Sequence, residues 1–280
     1  MSDTIKRLAT YVQKGGVAKT TSSAHISVSA AQDHGLDVVL IDLAGTQNDL
    51  ATNFGLKDEI ESIDAPVSAI FGENWEFIQQ NIDNVVERMV YDTGEGPDLI
   101  PADPGLGGAN NNLANVPLDE RFRVLDSFVT DELAPRYDLV IMDLPGNENN
   151  IVLNGLFAAQ QTFAPLRPGE FELNQLDSLE TDLETIREKH DGVNPELVMV
   201  TPTMIDRREP EHLNFAETVE AEFPEIVGPR ITKTTDIGRE QGNGRTIFAI
   251  ENDELLETGV RARESYRDLT TELLERLEAR

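Results

Sequence analysis

The sequence predicts an α/β protein with one doubly wound, mostly parallel sheet and helices on both faces. Two observations indicate this fold class. Segments rich in aliphatic and β-branched residues alternate with helical patterns along all 280 residues, which is typical of βαβ units. Most of these segments are continuous apolar runs, as expected of strands covered on both faces. No repeat or linker divides the chain, so we expect a single domain over residues 1–280.

The predicted strands share an apolar, β-branched composition. They are residues 8–12 (LATYV), 37–42 (DVVLID), 98–103 (DLIPAD), 137–143 (YDLVIMD), 161–166 (QTFAPL) and 196–202 (ELVMVTP). Between them, residues 20–34 form a helical pattern that Gly35 closes as a helix stop. We expect the acidic segment 57–98 to be irregular and residues 104–117 (PGLGGANNNLANVP) to form a loop.

Two further helices are predicted from apolar residues at helical spacing. One face of the first carries Leu173, Leu176, Leu179, Leu183 and Ile186, and the last segment of the chain places Tyr266, Leu269, Leu273 and Leu277 on one face. This last segment, from Glu251 onward, holds nine acidic residues against five arginines. It lacks the basic face and the Phe or Trp edge of a membrane-surface helix, so we expect its apolar face to pack on the core.

Composition excludes several classes of protein. The chain has no cysteine, which rules out disulfides, zinc-thiolate sites, thiol catalysis and cysteine-ligated iron–sulfur clusters. The first residues lack an apolar stretch of signal-peptide length, and no run of 18 or more apolar residues occurs. We therefore expect a cytoplasmic protein that does not bind membranes.

The charge is strongly acidic, with 52 Asp and Glu residues against 23 Lys and Arg and a net charge of −29. The excess extends from residue 58 to the end of the chain. An ordinary acidic protein with solvated charges is one interpretation. We favour an origin in a high-salt cytoplasm, where concentrated counterions screen the self-repulsion of such a surface.

The segment YVQKGGVAKTTSS, residues 11–23, joins the first predicted strand to the first predicted helix. A strand, a glycine pair and then Lys-Thr-Thr at a helix start indicate a phosphate-binding loop, because its N–H groups and the helix N-terminus favour anions. Lys19 is placed to reach the β- and γ-phosphates, and Thr20 to bind Mg²⁺. The alternative is a simple turn with solvated lysines.

The loop departs from the usual pattern G-x-x-x-x-G-K-[ST], because Gln13 and Ala18 occupy its two glycine positions. Ala18 is compatible with such a loop if its φ is negative, which the first turn of a helix supplies. An additional lysine, Lys14, opens the loop. The pattern K-G-G-x-x-K-T defines the deviant Walker A motif.

Two predicted parallel strands end in an aspartate, Asp42 and Asp143. Ligands bind at this carboxyl edge of α/β sheets. An aspartate at this edge can hold Mg²⁺ through water or orient the attacking water in phosphoryl transfer. Each aspartate alone could also be a strand-terminating cap.

On these motifs the sequence resembles the ParA/MinD family of deviant Walker A ATPases, most closely its ParA/Soj partition ATPases, over nearly its whole length. The resemblance implies that Lys14 crosses a dimer interface to the partner's nucleotide, so that two molecules enclose two ATP. It also implies that Asp143 is the Walker B residue before a switch at 144–150, and that Asp42 opens the first switch.

The resemblance implies roles for particular residues. Catalysis would depend on Lys14, Lys19, Asp42 and Asp143, and Mg²⁺ would be held by Thr20, Asp42 and Asp143. ATP or ADP would be bound by Lys14, Gly15, Gly16, Val17, Ala18, Lys19, Thr20 and Thr21, with Pro202, Thr203 and Met204 packed on the adenine base.

The sequence departs from the family after the second strand. Many relatives read D-x-D-P-Q there, and the second aspartate supports hydrolysis, whereas this chain has Ala44. We expect slow ATPase activity that depends on Lys19, or replacement of the missing carboxylate by Asp49, Gln47 or Asn48.

Partition ATPases bind DNA nonspecifically as ATP dimers and are stimulated by a centromere-binding, ParB-like protein. A locally basic region supports this function here, and its predicted DNA contacts are Arg208, Arg230, Lys233 and Arg239, with Arg207 and Arg245 nearby. The resemblance thus implies a cytoplasmic protein that associates with the nucleoid when ATP is bound. Solvated charges or intramolecular ion pairs are the alternative explanation of the arginines.

Two other functions stay open. One is an ATP-dependent dimerisation switch that regulates a protein partner without moving DNA, as MinD-like members do. The other is a small-molecule kinase or ligase on the same nucleotide fold.

Overall fold

The computed structural model describes residues 5–13, 15–45, 49–169 and 173–279. Its centre is a seven-stranded sheet in the order β3-β4-β2-β5-β1-β6-β7. The strands are β1 Lys6–Thr10, β2 Val38–Asp42, β3 Tyr91–Asp92, β4 Asp98–Ile100, β5 Leu139–Asp143, β6 Gln161–Leu166 and β7 Glu196–Pro202. All neighbours pair in parallel except the short edge strand β3, which is antiparallel to β4. The predicted fold class is confirmed, and of the strands in the described residues β3 was the one that the sequence did not predict.

Helices surround this sheet. They are α1 Lys19–His34, α2 Asp49–Asn53, α3 Trp75–Asn81, α4 Leu106–Leu113, α5 Leu118–Arg121, α6 Val124–Phe128, α7 Asn150–Ala159, α8 Leu173–Lys189, α9 Pro210–Glu222, α10 Thr235–Gly242 and α11 Glu257–Glu278. Short 3₁₀ turns occupy Glu59–Ser62, Val67–Phe71, Glu87–Met89 and Ile247–Ala249, and α6 continues as a π-turn over Val129–Leu133. The segment 57–98 contains only short elements, in agreement with its irregular pattern.

Each central strand is buried on both faces, which explains its continuous apolar sequence. All five residues of β2 and of β5 are buried. Leu8, Leu40 and Ile141 belong to a core under α1 and α11, while the strand neighbours of these residues point into a second core under α4, α6 and α7. Because a strand turns successive side chains to opposite faces, one apolar run supplies both cores.

Helix α1 ends as predicted, since Gly35 adopts a left-handed φ of 66° and its N–H donates to the Ala31 carbonyl at 3.1 Å. In α8, Leu179, Leu183 and Ile186 are buried as the spacing predicts. The predicted contacts of Leu173 and Leu176 lie outside the side chains that the structure describes. The last predicted helix is α11, and its residues Tyr266, Leu269, Leu273 and Leu277 are buried in the core.

The predicted loop at 104–117 is wrong, because α4 occupies residues 106–113. Leu106, Ala109 and Leu113 lie on one buried face of this helix, while its glycines and asparagines have poor helix propensity. The Asp103 carboxylate accepts the Gly105 N–H at 2.7 Å just before the helix begins. Burial of three apolar side chains therefore overrides local propensity here.

None of the helices in the described part of the chain combines the length and the apolar character that crossing a membrane requires.

Candidate nucleotide-binding site

The candidate site lies where β1, β2 and β5 end at one edge of the sheet. Their register places Thr10 beside Asp143 and Asp42 beside Asp143. The loop that leaves β1 at this edge leads directly into α1, which begins at Lys19. The predicted loop and both predicted aspartates are thus brought together by parallel pairing.

The loop turns sharply before the helix. Gly16 has φ 73° and Ala18 has φ 68°, both in the left-handed region. The expectation of a negative φ at Ala18 is therefore wrong: Ala18 stands just before the helix, at the second glycine position of the usual motif, and keeps the glycine-like conformation there. For an alanine this conformation costs about 1–2 kcal/mol. The loop thus retains the backbone of a phosphate-binding loop with a strained residue at its end.

Lys19 is the first residue of α1, and its side chain is buried. Its Nζ donates to the Val12 carbonyl at 3.3 Å, so the ammonium reaches back to the start of the loop. Burial lowers the pKa of Lys19, and the nearby Asp143 carboxylate opposes this shift. An incoming phosphate would favour the charged form in the same way.

The two aspartates form a buried acidic pair. The Thr20 hydroxyl donates to Asp143 Oδ2 at 2.6 Å, Ser23 Oγ lies 3.2 Å from Asp143 Oδ1, and the Ala44 N–H donates to Asp42 Oδ1 at 3.0 Å. Burial, and then the Asp143 charge, raise the pKa of Asp42. Burial likewise raises the pKa of Asp143. Both raised pKa values mean that the protein alone disfavours ionisation of both carboxyl groups. A bound divalent cation would instead favour the two carboxylates.

The donor atoms here fit magnesium. Carboxylate and hydroxyl oxygens are its preferred ligands, and it commonly binds through one or two carboxylates with waters and phosphates. Among the described residues, no group of three or more His, Asp or Glu side chains could hold a metal alone. A magnesium ion at Thr20, Asp42 and Asp143 therefore needs oxygens from a ligand or water.

A cavity of about 430 Å³ opens over the loop. Its walls come from the loop, from the segments that follow β2 and β5, and from one residue after β7: Gly15, Gly16, Ala18, Lys19, Thr20, Thr21, Ala44, Asp49, Leu144, Pro145, Gly146 and Met204. Ala44 contributes only a methyl group. Asp49, the first residue of α2, brings a carboxylate whose charge raises the pKa of both Asp42 and Asp143, so it lies within electrostatic reach of the pair.

The three residues predicted beside the adenine differ in placement. Pro202 ends β7, and Thr203 is buried with its N–H and hydroxyl both donating to the Leu166 carbonyl, at 2.6 and 3.1 Å. Met204 is 41% exposed and lines the cavity. Of this set, Met204 is the residue that the structure brings to the loop.

Three residues with predicted roles lie outside the described residues. They are Lys14, Gln47 and Asn48. Their roles stay predictions.

Sequence reasoning missed two side chains that contact the loop. Arg167 Nη1 donates to the Gly16 carbonyl at 2.9 Å, and Gln241 Nε2 donates to Thr21 Oγ1 at 3.0 Å. Arg167 directly follows β6, the parallel neighbour of β1. Inspection of the residue after each predicted strand could have identified Arg167, whereas Gln241 is 220 residues from Thr21 and carries no local signal.

The predicted DNA-contacting residues separate into two groups. Arg208 and Lys233 line one cavity of about 470 Å³ with Arg207, Arg261, the acidic residue Asp206 and the threonines 232, 234, 235 and 258. We call this cavity the basic groove. Within the described part of the chain, Arg207 and Lys233 make no ion pair, while Arg208 bonds Asp206 at 2.8 Å.

The other two predicted arginines are engaged elsewhere. Arg230 forms a bidentate pair with Glu220 at 2.6 and 2.8 Å. Arg239 pairs with Glu240 at 2.6 Å and with Asp236 at 3.0 Å. Neither lines the basic groove. Their contact with DNA stays a prediction, and these ion pairs match the alternative explanation.

Comparison with known proteins places the chain among nucleotide-binding folds. Residues 5–199 match a family described as an AAA domain. The chain is 30% identical to the chromosome partitioning protein ParA of Caulobacter vibrioides strain NA1000 / CB15N, over 80% of this chain and 78% of that protein. It is 28% identical to a ParA family protein of Chlamydia trachomatis serovar D, over 96% of this chain and 98% of that protein.

Among solved structures, a Mycobacterium smegmatis protein named cobyrinic acid a,c-diamide synthase, with bound ATP analogue and magnesium, superposes with a TM-score of 0.72 at 25% identity. The match covers 98% of this chain and 96% of that one.

Proposed function

The chain belongs to the ParA family of P-loop ATPases, and we propose that it is a DNA-partition ATPase that dimerises on ATP and binds DNA nonspecifically as the dimer. A centromere-binding, ParB-like partner stimulates hydrolysis, which returns the protein to the monomer. The chromosome partitioning protein ParA of Caulobacter vibrioides, which matches 80% of this chain, supports partition. The name diamide synthase describes the Mycobacterium protein alone.

The loop residues supply the nucleotide site. The loop N–H groups and Lys19 hold the triphosphate, while Thr20, Asp42 and Asp143 hold Mg²⁺ directly or through water. When bound, the metal neutralises negative charge on the phosphates. Buried Asp42 and Asp143 favour a cation that removes their mutual repulsion. Met204 lies at the cavity mouth, where it can cover an adenine ring.

Hydrolysis is slow in this proposal. A methyl group at Ala44 can neither orient water nor accept its proton. Asp49 is the carboxylate that the cavity offers instead, and its position at the start of α2 is set by the buried neighbour Leu50. A slow enzyme keeps the ATP dimer on DNA until the partner arrives.

The observation that carries the DNA proposal is an excess of cations over carboxylates among the residues that line the groove: Arg207, Arg208, Lys233 and Arg261 against Asp206. Asp206 bonds Arg208 at 2.8 Å and lies within electrostatic reach of Lys233, while Arg207 makes no ion pair within the described chain. At a net charge of −29, the protein repels DNA except where positive charge is left uncompensated. Threonine hydroxyls 232, 234 and 235 add neutral donors for phosphate oxygens, while the Thr258 hydroxyl donates to Thr234. Such close, hydrogen-bonded contacts resist salt better than diffuse attraction does.

A DNA-retention assay tests this proposal. Wild-type protein is passed over immobilised duplex DNA with ATP, ADP or no nucleotide, at several KCl concentrations. We expect wild-type protein to be retained with ATP only. The double variant Arg207→Gln/Lys233→Gln should bind DNA at least about tenfold more weakly, because each phosphate contact contributes to affinity.

The matched control is Arg230→Gln/Arg239→Gln, which removes the same charge from residues held in ion pairs. It should retain DNA far better than the groove variant. An equal loss of DNA retention in both double variants would reject the groove as the DNA-binding site. The change in net charge would then explain the loss. Retention that ignores the nucleotide would reject the partition mechanism.

Dimerisation through Lys14 needs a separate measurement. We expect wild-type protein to change from monomer to dimer on addition of ATP and Mg²⁺, as measured by light scattering, and Lys14→Ala to stay monomeric while still binding nucleotide. A dimer in Lys14→Ala would show that the first lysine is dispensable.

The second candidate function is an ATP-dependent switch that regulates a protein partner without DNA. The net charge of −29 favours it, because such a surface opposes DNA binding. ATP-dependent dimerisation without DNA retention would support this function. A membrane role gains no support, since the apolar face of α11 is buried.

A further inference from the structure

Arg167 bonds the phosphate loop from outside the cavity. It follows β6 at the edge where β1 ends, and its guanidinium Nη1 donates to the Gly16 carbonyl at 2.9 Å. The side chain is half-buried, and among the described residues a Cβ placed on Gly16 would meet Nη1 of Arg167 at 3.7 Å and no other atom within 4 Å. Within the described part of the chain, Arg167 therefore covers this face of Gly16.

This contact constrains one peptide unit of the loop. In a trans peptide the C=O and the following N–H point in opposite directions, so the bond that holds the Gly16 carbonyl also fixes the direction of the Val17 N–H. Gly16 has a left-handed φ of 73°, and glycine flips between its conformations at little cost. Without the arginine, the peptide loses this restraint.

The charge of Arg167 matters as well. An arginine guanidinium stays protonated at all physiological pH values. Arg167 therefore adds a permanent positive charge beside the loop.

We propose that Arg167 is a positioning residue of the nucleotide site: its hydrogen bond to Gly16 presets the Gly16–Val17 peptide so that the Val17 N–H meets the phosphates, and its charge favours the more negative nucleotide. This inference rests on the proposed nucleotide-binding function. Helix α1 begins at Lys19, and a helix start in such a loop holds the β-phosphate, so Gly16, which precedes the helix, lies toward the terminal phosphate. Arg167 therefore favours ATP over ADP.

Titration calorimetry with ATP and with ADP, each with Mg²⁺, tests the proposal on three variants. Arg167→Gln should bind ATP about 10- to 100-fold more weakly, the loss typical of a hydrogen bond to a charged group, and ADP less than about threefold more weakly. Arg167→Lys keeps the charge but loses the planar guanidinium group. Its ATP affinity should lie between those of Arg167→Gln and wild type.

The third variant, Arg187→Gln, is the matched control. Arg187 is also half-buried, and it caps the Pro195 carbonyl with two hydrogen bonds, at 2.9 and 2.7 Å, without lining the cavity. This variant should bind both nucleotides as wild type does. Thermal unfolding without nucleotide should show a midpoint for Arg167→Gln that is lowered no more than that of Arg187→Gln, since both variants lose charge-assisted hydrogen bonds to a carbonyl.

The outcomes separate the two proposals. Wild-type protein that binds neither nucleotide would overturn the proposed function together with this inference. If Arg167→Gln binds ATP and ADP with the affinities of the wild-type protein, the inference is overturned and the proposed function stands. Equal loss of ATP and ADP affinity with a lowered unfolding midpoint would also overturn it, because Arg167 would then only stabilise the fold.

Discussion

The phosphate loop and the basic groove are built in opposite ways. The loop is one continuous segment between β1 and α1, closely bonded to buried neighbours such as Asp143. The groove gathers residues 205–208 and 232–235 with Leu256, Thr258 and Arg261 on the protein surface. Helix α10 spans the two, since Thr235 lines the groove and Gln241 bonds Thr21 in the loop.

This contrast shows where each kind of specificity resides. The loop depends on backbone conformation and buried charge, so single substitutions there should act strongly. The groove depends on the balance between free and paired cations. Each substitution there should therefore change DNA affinity only slightly, and the effects of several substitutions should add. Four substitutions in and around the loop test this contrast, in decreasing order of effect.

Lys19→Ala should lower ATPase activity by about 10²–10³-fold, the loss typical of removing one preorganised charge-stabilising group. Phosphate-release assays and nucleotide titration measure it. Lys6→Ala, which removes a lysine of β1 that pairs with Glu278, serves as the control. ATP-dependent DNA retention should vanish in Lys19→Ala too, and its persistence would show that the groove acts independently of the loop.

Ala44→Asp should raise kcat by about 10- to 100-fold, because a carboxylate that orients water typically contributes this much or more. Single-turnover hydrolysis measures the step directly. In the same assay Asp49→Ala should slow the wild-type protein but have little effect when combined with Ala44→Asp. Equal rates in wild type and Asp49→Ala would remove Asp49 from the mechanism.

His25 should make stability depend on pH. It is buried in α1, its Nδ1 lies 2.7 Å from the Thr21 carbonyl, and its ring stacks on Tyr266 of α11 at 4.7 Å. Burial lowers the pKa of His25 to about 4. The unfolded chain therefore takes up the proton first, and the stabilisation is complete above pH ~6.5 and is lost as pH falls toward 4.

From pH 8 to pH 5 this one residue should cost about 2 kcal/mol of the free energy of unfolding. Urea titrations at each pH measure it, and His25→Phe provides the comparison, since the buried carboxylates titrate alike in both proteins. The His25→Phe variant should lose less stability than wild type over this range. Parallel curves for the two proteins would show that another group causes the pH dependence.

Ala18→Gly should raise the free energy of unfolding by up to about 1 kcal/mol, since relief of the left-handed alanine exceeds the entropy cost of glycine. Thermal unfolding without nucleotide measures this effect. Ala24→Gly, within the regular part of α1, should destabilise instead. A loss of stability in Ala18→Gly would mean that the loop is not strained at this position.

The strands, the phosphate loop and the two aspartates that end β2 and β5 were predictable because each is determined by residues that are consecutive in the sequence. An apolar run that ends in Asp42 or Asp143 needs no partner to be recognised, and parallel pairing necessarily brings such ends to one edge. The high-salt origin inferred from the net charge of −29 stays a prediction, to be measured as stability against KCl concentration.

Helix α4, the φ of Ala18, the contact of Arg167 with Gly16 and the pairing state of each arginine were decided only by the tertiary structure. Sequence composition counts Arg230 and Lys233 as equal charges, yet Glu220 lies beside the first and no carboxylate pairs with the second in the described part of the chain. Local sequence determines backbone patterns because neighbouring residues share dihedral constraints. Which distant groups meet, and whether a charge is left uncompensated, depends on packing between segments that are remote in the chain.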